Sequence, residues 1–92
     1  MTPSQFINIA GAATTVVKAD KGILRSIIIN KAVATGVVTV YDNTAASGTK
    51  IATITQPAAV VQSQAVLGYN VRCSIGITVV TSAADDITII FE

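Results

Sequence analysis

Five carboxylates, one thiol and six cationic side chains are the groups in this chain with obvious chemical potential, and no histidine accompanies them. Without an imidazole there is no His-based triad, no histidine general base and no histidine metal site. Cys73 stands alone, which excludes an intrachain disulfide and a cysteine metal cluster. Its neighbour Arg72 should point to the opposite strand face, so the thiol lacks the cationic partner that a nucleophile needs. It reads as a small buried hydrophobe. Asp85-Asp86 offers two adjacent carboxylates to a hard cation, but calcium takes six to eight oxygens and no EF-hand spacing surrounds the pair. A solvated turn that blunts strand pairing is the reading adopted. Gly48-Thr49-Lys50 fails as the end of a phosphate-binding loop: Thr separates Gly from Lys, Asn43 stands where the first glycine belongs, and Ile51 follows. No catalytic residue, cofactor site or metal site is assigned, and the chain is read as no enzyme.

The elements behind these residues are strands. Thirteen Ile, twelve Val and twelve Thr face only two Leu and one Glu. Branching at Cβ restricts χ1 in a helix and suits a pleated sheet. Hydrophobic residues reach 51% and charged residues 12%, which excludes disorder. The longest uninterrupted Ile run is Ile27 to Ile29, far short of the roughly twenty apolar residues of a membrane-spanning helix. Strand signals recur between turn residues, predicting eight strands at Gln5–Ala10, Thr14–Lys18, Ile23–Lys31, Val37–Asp42, Ile51–Thr55, Val66–Cys73, Ile77–Thr81 and Ile87–Phe91. The 92 residues fit one domain, an all-β antiparallel sandwich of jelly-roll type, with residues 1–10 as an arm or edge strand. Gly22 is expected to take a left-handed conformation in a bulged hairpin after Asp20-Lys21. Ala34-Thr35-Gly36 serves the next turn, and the loop after Asp42 ends at Gly48. Between Pro57 and Gly68 two readings compete: a helix opened by Pro and closed by Gly, or a strand from Val60 to Gln64, which the tandem valines favour.

Alternation along the strands sorts the side chains. Ile87, Ile89 and Phe91 share one face, as do Ile23, Ile27 and Ile29. Ile28 projects the other way with Leu24, and Val80 opposes Ile77 and Val79. A solvated face should be polar, yet Ile28, Val80 and Ile90 fall on it. Surface scaling for this mass gives a folded area of roughly 5,000 Å², so a chain this small cannot enclose all its apolar groups. Ile28, Val80 and Ile90 are therefore interface candidates. Gln5 and Phe6 join them, on the view that the first strand pairs with a neighbour.

Six Lys/Arg against five Asp/Glu leave a net charge of +1, and the cations are scattered along the chain. Nucleic-acid binders concentrate positive charge, so neither direct nucleic-acid binding nor membrane attachment is expected. Zero Trp weakens a sugar platform; Tyr41 and Tyr69 are candidate contacts, although half-buried tyrosines with satisfied hydroxyls are the commoner case. Residues 1–10 carry no cationic segment of a signal peptide, and synthesis in a reducing cytoplasm is the expectation.

Three stretches carry a family resemblance: Gly22-Ile23-Leu24-Arg25-Ser26-Ile27-Ile28-Ile29-Asn30-Lys31, then Thr39-Val40-Tyr41-Asp42-Asn43-Thr44-Ala45-Ala46-Ser47-Gly48-Thr49-Lys50-Ile51-Ala52-Thr53-Ile54, then Gly76-Ile77-Thr78-Val79-Val80-Thr81. Together they span about two thirds of the chain, and the run from Tyr41 to Ile51 is the most specific. This sequence resembles the small β-sandwich structural proteins of tailed bacteriophages, a group that includes capsid decoration (cement) proteins. Residues 57–74 depart from that pattern. The resemblance implies a virion structural protein on the capsid surface, with the major capsid protein as partner and a homo-oligomer, favoured as a trimer. It implies no catalytic residues. The alternative is a tail-associated module that recognises a host-surface glycan or protein.

Overall fold

The computed structural model describes residues 4–56 and 65–92. Eight strands follow in order: β1 Gln5–Ala10, β2 Ala13–Lys18, β3 Gly22–Lys31, β4 Val37–Asp42, β5 Thr49–Thr55, β6 Ala65–Cys73, β7 Ile77–Thr81 and β8 Asp86–Phe91. Each agrees with its sequence expectation to within two residues. The strand proposed at Val60 to Gln64 lies outside the described residues. Ala65 to Gly68, which the helical reading would have ended, begin β6 instead.

The strands form two four-stranded antiparallel sheets, ordered β1-β8-β3-β6 and β2-β7-β4-β5. This alternation of strands between two layers is the jelly-roll order. Among the described residues, β4 and β5 form the one hairpin of consecutive strands within a sheet; every other pair of consecutive strands is divided between the two layers. That geometry corrects the expectation for Gly22. β2 and β3 belong to different sheets, and Gly22 starts β3 without a left-handed backbone. Glycine is needed there for close approach: a Cβ would collide with the carbonyl oxygen of Glu92 and lie 2.7 Å from Cδ of Lys18.

The core fills the space between the layers. Ile9, Leu24, Ile27, Ile29, Cys73, Ile87, Ile89 and Phe91 of the first sheet meet Val38, Val40, Ile77 and Val79 of the second, all buried. The shortest molecular dimension is 17 Å, about what two sheets packed roughly 10 Å apart require. Leu24 is a second correction. The register of β3 shifts between Leu24 and Ser26 against both β6 and β8, so the bulge at Arg25 turns Leu24 inward beside Ile27. Ile28, beyond the bulge, keeps its outward direction.

The third correction is Asp85. It is no solvated turn residue but is fully buried at the end of the sandwich. Val33 N–H donates to its Oδ1 at 2.6 Å, and its carboxylate packs over Gly36, itself buried in the β3–β4 turn. Asp86 is the first residue of β8 and faces outward. The two-residue crossing from β1 to β2 is equally tight: Gly11 has φ 131°, and buried Thr81 donates its hydroxyl to the Gly11 carbonyl at 2.6 Å. The β4–β5 loop does end at left-handed Gly48 (φ 86°), where Asn43 Nδ2 donates to the Ser47 carbonyl at 2.8 Å.

Candidate interaction surface

The register of the first sheet assigns its outward side chains to rows. Phe6, Ile90, Ser26 and Gly68 lie across the four strands in one row; Asn8, Thr88, Ile28 and Val66 lie in the next. Phe6 is directly opposite Ile90, and Ile28 is directly opposite Val66. The apolar groups therefore run diagonally across the sheet from one edge to the other. Phe6 is 72% and Val66 69% exposed, with Ile28 and Ile90 half-buried between them.

Polar clusters flank this stripe at both ends. At one, Arg25 pairs with Glu92 and donates from Nη1 to Asn70 Oδ1 at 3.2 Å. At the other, Asp86 Oδ1 accepts from Asn8 Nδ2 at 2.7 Å and from Asn30 Nδ2 at 3.3 Å, and Asn30 also donates to Thr88 Oγ1 at 2.9 Å. These groups satisfy one another, so covering the stripe need not strand them without partners. Fully burying a large apolar side chain contributes about 1.5–3 kcal/mol, and this face offers four such side chains in part.

Of the five residues singled out from sequence, the structure brings Phe6, Ile28 and Ile90 onto this one face. Val80 is on the opposite side of the molecule. It sits on the outer face of the second sheet, in a row with Thr14, Thr39 and Thr53, a setting that is mostly threonine. Gln5 shares the inward direction of Ile7 and Ile9 but lies exposed at the end of β1. Val66 was missed as an interface residue. Its strand was legible, but its position beside Ile28 depends on a pairing between residues far apart in sequence.

The chemical groups lie elsewhere. Cys73 is buried, and burial pushes its thiol pKa up, with the Asp42 carboxylate adding in the same direction. Both effects disfavour the thiolate. Asp42 caps the β6–β7 turn, accepting from the backbone N–H of Ile75 at 3.0 Å and of Ser74 at 3.1 Å. Those two bonds, with Gly76 N–H a weaker third, hold its carboxyl below the usual range. Among the described residues no three His, Cys, Asp or Glu side chains gather as a metal site would require. An open cleft of about 300 Å³ is lined by Lys21, Gly22, Ile23 and Arg72, bringing together two cations far apart in sequence. Comparisons with protein-family models, curated proteins and solved structures find no match for the chain.

Proposed function

We propose that this chain is a structural assembly module of a bacteriophage virion, a decoration (cement) protein that oligomerises and binds the outer surface of the head. The carrying observation is the apolar diagonal formed by Phe6, Ile90, Ile28 and Val66 on the outer face of the first sheet. Contiguous apolar surface on a small domain is a mark of protein contact. The jelly-roll order adds support by analogy, since that architecture recurs in viral capsid domains, although fold alone does not define function. The major capsid protein is the partner in this reading, and the stripe is the surface laid against it. Added contact across neighbouring shell subunits is the work such a protein does, and it requires no reaction.

A tail-associated module recognising a host-surface glycan or protein is the second reading, favoured by the cleft at Lys21, Gly22, Ile23 and Arg72. One experiment separates the two. Antibody labelling of intact particles, with the copy number measured against the shell protein, should decorate heads in near-stoichiometric ratio to that protein. Label confined to tails supports the second reading, and a chain that never co-purifies with particles overturns both.

A further inference from the structure

We infer that the free edge of β1 is an interface for a second copy of this chain, the two β1 strands pairing antiparallel about a two-fold axis.

Among the described residues the two sheets have four edge strands: β1, β6, β2 and β5. An edge exposes unpaired N–H and C=O groups, and natural edges are blunted by charged side chains, proline or bulges. Three of the four carry such devices. β2 has a register shift between Val16 and Lys18 and bears that lysine. β5 bears Lys50 beside the shift at Val40 and Tyr41. β6 bears Arg72, has left-handed Asn70 at φ 54°, and shifts register opposite Leu24 and Ser26. β1 has none of these. Gln5–Ala10 contains no charge and no proline, and its register with β8 is unbroken from Gln5 to Ala10.

The side chains of β1 fit the same reading. Phe6 is the most exposed large apolar residue among those described. Ile7 points toward the core and packs against it, yet stays half-buried at the open rim of the sandwich. Asn8 is already held by Asp86 and the Ile87 carbonyl, so covering it leaves no amide donor stranded.

A second copy is the occupant the charges favour. An uncharged strand meets its own image with no like charges opposed, and a net charge of +1 gives little repulsion between copies. Centred on Ile7, the pairing sets Ile7 against the partner's Ile7 and Phe6 against the partner's Asn8. Core-facing residues stay on one side, and the two four-stranded sheets join into one of eight. Such a contact uses the same patch on both copies and closes as a dimer. It cannot build the trimer that the family resemblance implies.

Analytical ultracentrifugation of the full chain tests this, together with hydrogen exchange of the Gln5–Ala10 amides at several concentrations. The expected result is a species of twice 9.4 kDa whose β1 amides slow in exchange as concentration rises. Ile7→Lys, an inward-pointing charge at the edge, should leave monomer, while Val66→Lys at the far edge should leave the dimer intact. Should Ile7→Lys fail to fold, the concentration-dependent protection of the wild-type amides decides alone. A monomer, a trimer, or a dimer whose β1 amides exchange independently of concentration overturns the inference. The test needs no particle, so dimerisation and capsid binding stand or fall separately.

Discussion

Gly36 and Asp85 share one packed site, and neither tolerates a change made without regard to the other. A Cβ at Gly36 would lie 2.9 Å from Asp85 Oδ2 and 3.1 Å from its Oδ1. Gly36→Ala is therefore expected to destabilise the fold by about 1–3 kcal/mol, the range for overpacking. In an Asp85→Ala background the same substitution should cost distinctly less, because the colliding carboxylate is gone. Urea unfolding of the four chains in a double-mutant cycle measures that coupling. Asp42 supplies a prediction in pH. Its carboxyl is held low in the folded chain by the N–H groups of Ile75 and Ser74. The unfolded chain thus binds the proton more readily. The stabilisation is fully present above the ordinary aspartate value of about 3.9 and is lost as pH falls through the folded value. Asp42→Asn should flatten the acid limb of the Tm-against-pH curve, as thermal melts across that range would show. Gly11 is strained territory for any other residue: nothing lies within 4 Å of an added Cβ, but φ is 131°. Gly11→Ala should cost about 1–3 kcal/mol through the backbone alone, again read by urea unfolding.

At the scale of elements, the bulge in β3 decides which side chains hold the two layers together. It brings Leu24 into the core and leaves Ile23 only half-buried. Leu24→Ala is expected to cost about 2–5 kcal/mol in chemical denaturation, and Ile23→Ala clearly less. Strict alternation gives the reverse ranking, because it places Ile23 with Ile27 and Ile29. This contrast marks how far the sequence could be read. The existence and bounds of all eight strands were legible, since β-branched alternation and turn residues are local signals. The order β1-β8-β3-β6 was not legible, because it pairs residues about eighty positions apart, such as Asn8 with Thr88. Asp85 escaped for the same reason. An Asp-Asp pair between strands has the composition of an exposed turn, and only the packing of Val33 and Gly36 around it makes it interior. Ile28 and Ile90 were legible as outward apolar residues and Phe6 only as a member of an arm or edge strand, whereas Val66 and the separation of Val80 from the others required the sheet order.

For the whole molecule, the accessible surface is 5116 Å², near the roughly 5,000 Å² that scaling gives for this mass. The chain therefore buries an ordinary share of itself and still presents Phe6 and Val66 to solvent. The outer face of the second sheet mixes Thr14, Thr39, Thr53 and Thr55 with Val16, Val37 and Val80, and of these valines only Val16 is exposed, at 46%. The two most exposed large apolar side chains among the described residues, Phe6 and Val66, both lie on the first sheet's outer face, which is the side the proposed function lays against a partner. The most direct measurement is binding of purified chain to particle heads, comparing wild type with Ile90→Lys and Ile28→Lys on that side and Thr39→Lys on the opposite side. Each isoleucine variant is expected to lose binding while its Tm stays close to that of wild type, because an unpaired ammonium is costly to desolvate at a contact. Thr39→Lys is expected to bind as wild type does. Undiminished binding by both isoleucine variants, or equal loss by Thr39→Lys, would contradict the account.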